Sequence, residues 1–380
     1  MPIDVVIIGA GPAGCAAGTV VARAGARVIV IDRARFPRPK TCGDAISNRA
    51  AELFAEFTGA RDAASALAAV PHARVDTGVA LLPEAGAIVR SFGARPGYIV
   101  PRLALDDALR GGLERAGAEL REGVRATGLR RIGARVTGVE LAGGECLHAD
   151  VVIAADGPGS LAQSALGQPY RRGRHLAVAL TAYMTGVEPG AWPDAAEHFF
   201  EHDLRAGYGW IFPAVDGVAN VGVYQRADRF HAHGRSLVAL FEAFKATHRD
   251  RFAHAQLVGR TRSWALPLAV PPAPHTVPGL LVAGDAGYNV DPLAGEGIWQ
   301  ALHTGMLAGE AALHGGTAAA LAQMKRRRFA DIAVPSAMRL AVQDAMDVLV
   351  GSGIYRSRLV RGLLQRGYAS ERLEASKRLR

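Results

Sequence analysis

The sequence predicts an α/β (α+β) protein, with a parallel sheet, an inserted antiparallel sheet and C-terminal helices. Three short apolar runs, residues 3–8, 151–155 and 279–283, each lead into a turn that contains glycine, as strands of a buried parallel sheet do. Residues 176–224 alternate in polarity and are rich in β-formers, which favours antiparallel sheet. After residue 297 the pattern becomes helical.

The composition is that of a globular chain. Hydrophobic residues make up 49% of the 380 positions and charged residues 21%, so a sizeable core can form. No apolar run reaches the ~18 residues of a membrane span, and no basic leader precedes the first strand, so we expect no signal peptide. The three cysteines form no Cys-x-x-Cys pair, which favours a cytoplasmic location and excludes a four-cysteine iron–sulfur cluster in this chain. No metal site is predicted.

The first strand, a glycine turn, a helix and a second strand form one unit. Gly9, Gly11 and Gly14 have G-x-G-x-x-G spacing, residues 15–24 favour helix, and the second strand ends at Asp32. The first glycine permits a tight turn, the second lets a pyrophosphate approach the backbone, and the third lets the helix pack on the strand. The helix N-terminus attracts phosphate and Asp32 can accept a ribose hydroxyl. The unit predicts dinucleotide binding in a Rossmann-type domain, with an empty glycine-rich turn as the alternative.

The following segments alternate between loops, helices and strands. Residues 33–44 form a loop because they contain two prolines, and four basic side chains make it attractive to anions. The next expected elements are a helix over 45–67, strand pieces over 70–100, a helix over 101–116, and strand pieces near 120, 126–132 and 134–141. Asp216-Gly217 predicts a hairpin turn, and residues 271–274 a rigid loop.

The C-terminal region, residues 316–380, is predicted to be helical with a break at 351–353, and it carries much of the excess charge of +9. Basic clusters lie at 325–328 and 377–380. Either these residues cover a solvated surface, or they attract anionic lipid or an acidic partner, at about 1 kcal/mol per basic residue near a membrane. We expect no nucleic-acid binding, because no recognition motif accompanies the charge.

Taken together, these motifs resemble the single-Rossmann FAD flavoproteins typified by p-hydroxybenzoate hydroxylase, and within them the geranylgeranyl reductase family, which includes reductases of prenylated quinones. The resemblance covers about residues 1–315. Its carriers are residues 9–14, the Phe-Pro-Arg-Pro-Lys-Thr-Cys-Gly-Asp loop at 36–44, Arg102, Asp156-Gly157, the Tyr-Gly-Trp-Ile-Phe-Pro strand at 208–213, and residues 284–297. One position departs from the family: Ala214 stands where these reductases often carry Lys, which argues against a substrate diphosphate bound there.

The resemblance implies FAD and a division of the chain. Residues 1–70, 98–165 and 260–315 would form the FAD-binding domain, and residues 71–97 and 166–259 the antiparallel substrate domain. The residues assigned to FAD, by motif or by resemblance, are Gly9, Gly11, Pro12, Ala13, Gly14, Asp32, Arg33, Cys42, Gly43, Ala45, Arg102, Val124, Asp156, Gly157, Gly284, Asp285, Pro292, Gly295, Gly297 and Ile298. The N-terminal end of the helix after Gly297 would stabilise the negative charge of reduced flavin.

Three aromatic residues and one cysteine are the candidates for chemistry. Tyr208, Trp210 and Phe212 share one face of a strand, where they either pack in the core or line a substrate cavity and stabilise a carbocation. Tyr208 and Trp210 are assigned as catalytic, with Cys42. The basic loop would lower the pKa of Cys42, which would then donate a proton or gate the flavin; otherwise it is a small buried hydrophobe.

The implied reaction is the reduction of C=C bonds in a prenyl chain, with hydride from N5 of reduced FAD. NADPH would be a transient reductant, since no second G-x-G-x-x-G is present, and a ferredoxin-type donor is the alternative. The substrate would be an apolar isoprenoid or quinone. The protein would be cytoplasmic, or peripheral on the inner face of the membrane. One rival interpretation is an aromatic monooxygenase or halogenase of the same superfamily. The other is a non-catalytic, membrane-docked flavoprotein that passes electrons to a partner.

Overall fold

The first layer of the fold is a five-stranded parallel sheet. The computed structural model describes residues 4–84, 86–167, 172–269 and 277–369. Its strands are β1 Asp4–Ile8, β2 Arg27–Asp32, β3 Ala45–Ile46, β4 Ala73–Val75, β5 Thr77–Leu82, β6 Gly86–Ser91, β7 Gly97–Ile99, β8 Glu119–Glu122, β9 Ala126–Ile132, β10 Arg135–Leu141, β11 Cys146–His148, β12 Val151–Ala154, β13 Leu176–Thr185, β14 Ala195–Phe199, β15 Gly207–Ile211, β16 Ala219–Arg226, β17 Gln256–Pro267 and β18 Leu280–Val282. The parallel sheet has the order β18-β12-β1-β2-β8. Strands far apart in sequence therefore end side by side at one edge.

The helices cover this sheet and extend beyond it. They are α1 Pro12–Arg23, α2 Asn48–Thr58, α3 Ala63–Ala68, α4 Arg102–Arg115, α5 Leu161–Ala165, α6 Ala227–Ala232, α7 Leu237–Thr247, α8 Ile298–Leu313, α9 Ala318–Arg328, α10 Val334–Ser352 and α11 Arg358–Ala369. Helices α1 and α8 approach closely because α8 carries glycine at the contact: a Cβ atom at Gly305 would lie 2.2 Å from the carbonyl oxygen of Ala13. The largest core cluster lies between these helices and the sheet.

A seven-stranded sheet forms the second layer, in the order β17-β13-β16-β15-β14-β5-β6. All its pairings are antiparallel except β14 with β5. Two small three-stranded sheets, β11-β10-β9 and β3-β7-β4, complete the strands. The predicted fold class is thus confirmed. The division into domains remains a prediction, in which β17 would cross the boundary at residue 260.

One predicted element is wrong. Residues 45–67 do not form one helix, because Ala45–Ile46 is a short strand and the helical part is split into α2 and α3. Ser47 caps α2 by accepting a hydrogen bond from the amide of Ala50, and Gly59 ends it in the left-handed conformation at φ 72°. The predicted loop at 271–274 and the basic cluster at 377–380 lie outside the described residues.

The C-terminal helices end where the glycine pattern indicates. Helix α10 stops at Ser352, and Gly353 adopts φ 71° after it. A π-helical turn, Phe329–Ala333, joins α9 to α10. In the described part of the chain, no helix combines the length and the apolar character that crossing a bilayer requires.

Candidate active site

A cavity of about 880 Å³ lies between the carboxyl ends of the parallel strands and one face of the seven-stranded sheet. It brings together the three glycine turns that follow β1, β12 and β18, together with the loop at 38–47. Of the residues assigned to FAD, all but Gly14 and Pro292 line it. Tyr208, Trp210 and Phe212 line it as well, so the assigned cofactor and substrate residues share one space.

The glycines of the first turn have separate steric roles. Gly9 has φ 97°, and a Cβ atom there would lie 2.5 Å from the carbonyl oxygen of Ala155 on the neighbouring turn. At Gly14 a Cβ atom would lie 1.8 Å from the carbonyl oxygen of Gly9, so this glycine is needed for the helix to pack. At Gly11 a Cβ atom would meet only Arg38, at 3.8 Å. The space in front of Gly11 is therefore open to a ligand rather than filled by protein.

The side chain of Asp32, at the end of β2, is held by two backbone amides that donate hydrogen bonds to its carboxylate. Oδ2 accepts from the amide of Ala10 at 2.9 Å, and Oδ1 accepts from the amide of Ala34 at 2.8 Å. The carboxylate therefore also fixes the glycine turn and the start of the next loop. Val124 donates its amide to the carbonyl oxygen of Asp32 at 2.9 Å, so that amide is not free for adenine.

Two partly buried carboxylates lie at the ends of the other strands. Asp156 Oδ2 accepts from the amide of Leu161 at 2.7 Å, whereas the buried Oδ1 has no hydrogen-bond partner among the described residues. Burial raises the pKa of Asp156 and of Asp285, and Lys40 followed by Arg102 offsets part of this at Asp285. An unpaired buried acceptor costs about 1–3 kcal/mol. The polar hydroxyls of a nucleotide cofactor fit these two positions.

Arg102 is tied down by an ion pair inside α4. Its Nε and Nη2 donate to the two carboxylate oxygens of Asp106 at 2.7 and 2.8 Å, and the pair is buried. Burial opposes the charge of Arg102, but Asp106 outweighs it and keeps the pKa of the guanidinium above its usual value. Arg38 contacts the same carboxylate at 3.3 Å and lines the cavity. The guanidinium groups of Arg38 and Arg102 thus stand beside the cofactor end, and Arg38 also lies 3.7 Å from the carboxylate of Asp32.

The loop before α8 is held from below by side chains. Asp291 Oδ1 accepts from the amides of Leu293 and Ala294, both at 2.9 Å, and Arg339 of α10 pairs with Oδ2. Gly295 has φ 65°, which a residue with a side chain rarely adopts. The carbonyl oxygen of Pro292 accepts from Tyr224 and Gln343, so Pro292 supports the loop instead of lining the cavity. This arrangement presents the N-terminal end of α8 to the cavity.

The aromatic face is created by the pairing of β15 with β16. Tyr208 lies opposite Tyr224 and Trp210 opposite Gly222, so the two tyrosine rings stack with centroids 5.1 Å apart and the indole lies over a glycine. A Cβ atom at Gly222 would lie 2.3 Å from the indole, so any residue with a side chain at position 222 would clash with the Trp210 ring. Tyr208 donates its hydroxyl to the carbonyl oxygen of Ala294 at 2.6 Å. The aromatic face is therefore fastened to the loop before α8.

The Cys-Gly-Asp loop packs directly against these rings. A Cβ atom at Gly43 would lie 3.2 Å from the Phe212 ring and 3.8 Å from the Trp210 indole. The expected lowering of the Cys42 pKa is wrong: burial raises the pKa of the thiol, and Arg102 offsets only part of the rise. Cys42 is thus a protonated thiol at neutral pH, which keeps proton donation open and argues against a reactive thiolate.

Several cavity residues escaped the assignment from sequence. His198 of β14 stands edge-on to Tyr208, with ring centroids 5.0 Å apart, and burial lowers its pKa to about 4. The Lys40 ammonium lies 3.5 Å from the centroid of the Trp264 ring, and burial lowers its pKa to about 8. Asp44 closes the Cys-Gly-Asp loop. Of these, only Asp44 and Lys40 lay in a motif that could have singled them out.

The comparisons with known proteins agree with this geometry. A model of the FAD binding domain family matches residues 2–311. The chain belongs to this family. It is an FAD-dependent oxidoreductase, and the open turn at Gly11 and the Asp156 oxygen that lacks a partner among the described residues are compatible with such a cofactor. The expected cofactor is thereby confirmed.

Two relatives indicate which members of the FAD-binding family the chain resembles. The flavoprotein is 33% identical to the menaquinone reductase of Mycolicibacterium smegmatis over 82% of this chain and 77% of that protein. It is 31% identical to digeranylgeranylglycerophospholipid reductase 1 of Methanopyrus kandleri, over 82% of this chain and 81% of the relative. The resemblance to the geranylgeranyl reductase family is confirmed.

Solved structures show the same fold. A geranylgeranyl bacteriochlorophyll reductase-like protein of Thermoplasma acidophilum superposes with a TM-score of 0.80 at 22% identity, covering 92% of this chain and 90% of its own. The flavin-dependent brominase Bmp2 superposes with a TM-score of 0.75 at 20% identity, covering 99% and 92%. At such identities the likeness concerns the fold alone.

Proposed function

We propose that this flavoprotein reduces C=C bonds in the prenyl chain of an isoprenoid lipid, of the prenyl-quinone or geranylgeranyl type. The observation that carries the proposal is the aromatic face of Tyr208, Trp210 and Phe212 in the same cavity as the FAD-binding turns. The names of the relatives support it, since they describe reductases of a menaquinone and of a prenylated glycerophospholipid.

The cavity continues beyond the cofactor residues as an apolar space. Ala179, Ala196 and Leu266 line it from the seven-stranded sheet, Phe92 from the position after β6, and Val75 from β4 of a small sheet. An isoprenoid chain gains about 0.8 kcal/mol for each CH₂ that such a surface buries. The position after Phe212-Pro213 supports a neutral lipid, because Ala214 is exposed and offers no charge to a diphosphate.

Reduction of an unactivated alkene adds a proton to one carbon and a hydride to the other, so positive charge develops between them. Bound FAD, once reduced, supplies the hydride. The aromatic rings can stabilise the positive charge by about 0.5–2 kcal/mol each. Hydrogen bonds hold the hydroxyls of Tyr208 and Tyr224 against the loop before α8, so these oxygens are kept from trapping a cation.

The test is the mass of the product. Purified protein loaded with FAD is incubated in air with a prenylated quinone and either NADPH or a reduced ferredoxin-type donor. We expect a product heavier by two hydrogens for each bond reduced, and the faster of the two donors identifies the reductant. A product that gains oxygen, or turnover that depends on halide, would overturn the proposal in favour of a monooxygenase or halogenase.

We further propose that the C-terminal helices dock on an anionic membrane that supplies the lipid. Val334, Met338 and Val342 lie at i, i+4 and i+8 of α10 and are 41%, 60% and 49% exposed. Phe329 is 59% exposed in the adjoining turn, and the exposed Lys325 precedes it. An apolar stripe beside basic side chains suits the surface of an anionic bilayer.

The basic cluster at 325–328 has two parts. Arg327 pairs with Glu310, and Arg328 donates to Asn289 at 2.7 Å, so these two arginines have partners within the protein. Lys325 and Arg326 are exposed on α9 and can face lipid. Within this cluster, the cationic surface is therefore smaller than the sequence indicates.

Vesicle co-sedimentation tests the docking surface. We expect binding to phosphatidylglycerol vesicles that weakens with salt and is strongly reduced by Met338→Glu with Phe329→Glu. Ile132→Glu is the matched control, because Ile132 is 71% exposed on the distant hairpin of β9. Equal binding by all these proteins, or equal binding to neutral vesicles, would contradict the membrane surface.

A further inference from the structure

A buried carboxyl group of the cavity has no part in holding the cofactor in the site described above. Asp44 is 1% exposed and lines the cavity beside the aromatic face. Its Oδ2 accepts from the hydroxyl of Tyr183 at 2.6 Å and from the side-chain amide of Asn220 at 2.9 Å. Its Oδ1 accepts from the backbone amide of Arg102 at 3.3 Å. The group is thus surrounded by donors yet borders the apolar space.

The pairing of β13 with β16 explains why these donors meet. Tyr183 and Asn220 are directly opposite each other, so both side chains point to the same face and reach one carboxylate. Asn220 also accepts from the Trp210 indole at 2.9 Å and donates to the carbonyl oxygen of Cys42 at 2.9 Å. The network therefore joins the Cys-Gly-Asp loop to the aromatic face.

Tyr183 also leads out of the cavity. Ala179 and Thr181 precede it on the same face of β13 and line the cavity. Tyr183 itself is only half-buried. Asp44, which lines the cavity, is therefore hydrogen-bonded to a tyrosine that is partly exposed to solvent.

We propose that Asp44 is the acid that protonates the alkene and that Tyr183 connects it to solvent. This inference rests on the proposed reductase function. In the step, the O–H bond of protonated Asp44 breaks and a C–H bond forms at one alkene carbon, while the hydride supplied by the reduced cofactor forms the other C–H bond. The carboxylate left behind regains a proton from solvent through the Tyr183 hydroxyl. One proton and one hydride are consumed for each double bond.

The charges around Asp44 are compatible with this role. Burial raises its pKa to about 6, and hydrogen bonds from Tyr183 and Asn220 limit the rise. Arg102 of α4 faces it and favours the carboxylate, whereas Cys42 on its own loop has a thiol that burial keeps protonated. A general acid works best when its pKa lies near the operating pH. Because the acid form is lost above the pKa, the chemical step should slow as pH rises through about 6.

The decisive variant is Asp44→Asn. Asp44 has φ 62°, a conformation that asparagine adopts more readily than other residues that carry side chains, so the backbone is kept. With pre-reduced enzyme and a prenylated quinone, we expect single-turnover reduction to fall about 10²- to 10⁴-fold, the usual contribution of a general acid. FAD content and the rate of flavin reduction should stay at wild-type values, and the residual rate should lose its fall above pH 6.

Tyr183→Phe provides a second test that does not depend on the first. Loss of the hydroxyl removes a hydrogen bond that lowers the Asp44 pKa, so the midpoint of the pH profile should move upward while steady-state turnover falls. Tyr355→Phe is the matched control, because that hydroxyl is buried away from the cavity and has no partner among the described residues. It should leave rate and midpoint unchanged.

The possible failures can be told apart. If wild-type protein forms no product heavier by two hydrogens, the proposed function fails. If wild-type protein forms it and Asp44→Asn does so at the same rate with the same pH profile, only the proton donor is wrong. Loss of FAD by Asp44→Asn, together with an unchanged pH midpoint in Tyr183→Phe, would assign the network a structural role and overturn the proposal. Should Asp44→Asn fail to fold, the midpoint of Tyr183→Phe decides.

Discussion

The two ends of the cavity are formed by different groups, mainly backbone at one end and mainly side chains at the other. At the nucleotide end, backbone turns after β1, β12 and β18 form the surface, and glycines such as Gly9 and Gly11 leave it open. At the other end, side chains of β13, β15 and β16 form the surface, and Gly222 makes room for the Trp210 indole. One end thus offers a ligand mainly backbone, the other mainly aromatic rings.

This difference determines which positions of the cavity tolerate substitution and which do not. A backbone cradle tolerates changes in neighbouring side chains but not an added Cβ atom at a close approach. A wall of side chains can be reshaped one residue at a time, as long as the packing volume is kept. The chemistry at the aromatic end is therefore open to change in a fold whose cofactor end is fixed.

The largest expected effect separates two glycines of the same turn. Gly14→Val places a side chain 1.8 Å from the carbonyl oxygen of Gly9, so we expect loss of folded protein, beyond the about 1–3 kcal/mol of ordinary overpacking. Gly11→Val meets protein only at 3.8 Å and fills space meant for the cofactor. It should stay folded and bind FAD up to about 100-fold more weakly. Circular dichroism and flavin absorbance measure the two outcomes.

Equal FAD content in Gly11→Val and wild-type protein would contradict the placement of the pyrophosphate at this turn. Gly25→Ala is a suitable control, because Gly25 has open space around it, although its φ of 77° makes a small loss of stability expected. Its FAD content should not change.

The second effect concerns pH, to which the side-chain end is sensitive. Burial lowers the pKa of His198 from 6.5 to about 4, so in the folded protein it stays neutral where an unfolded chain takes up a proton. Stability should therefore fall as pH drops from 6.5 towards 4, by up to about 3 kcal/mol at the lower end. His198→Gln should flatten this slope in urea unfolding curves measured between pH 4 and 7.

Asp44 acts in the opposite direction in the same window. Its pKa rises from 3.8 to about 6, so its contribution to stability is present below 3.8 and lost as pH rises through about 6.

His202→Gln is the control for His198→Gln, since His202 is exposed. If His198→Gln and His202→Gln change the pH slope of stability equally, the half-buried imidazole of His198 is not the source of that slope.

The smallest effect tests the rings themselves. Trp210→Leu keeps an apolar residue but removes the aromatic face. The activation free energy of alkene reduction should therefore rise by about 0.5–2 kcal/mol, which lowers the rate roughly 2- to 30-fold. Trp210→Phe should retain more of the rate. FAD binding should be unaffected in both. Single-turnover rates measure the loss, and a Leu variant as fast as wild type would reduce the aromatic face to packing.

The nucleotide end could be predicted from sequence because each part of it is local. Gly9, Gly11, Gly14 and Asp32 lie within one strand–helix–strand unit, whose spacing carries its own geometry. That three such strand ends meet in one sheet follows from their shared pattern of a buried run and a glycine turn. The structure confirms the parallel sheet, in which β12 lies between β18 and β1.

The aromatic end was only half predictable because it depends on register. The turn at Asp216-Gly217 pairs Val215 with Val218, yet further along Ile211 pairs with Val221. Four residues on one side of the turn thus match three on the other, and this irregularity places Tyr224 rather than Gln225 opposite Tyr208. The contacts of Asp44 span 139 and 176 positions of sequence, which no local pattern carries.

Helix α10 has a consequence for how the lipid is delivered. One of its sides exposes Val334 and Met338, while the other holds Asp291 through Arg339 and Pro292 through Gln343. Its width of about 10–12 Å thus separates the proposed bilayer contact from the loop before α8. On the proposed docking, the helix that touches the bilayer is also the helix that supports this loop, so a lipid entering on this side has a single layer of protein to pass.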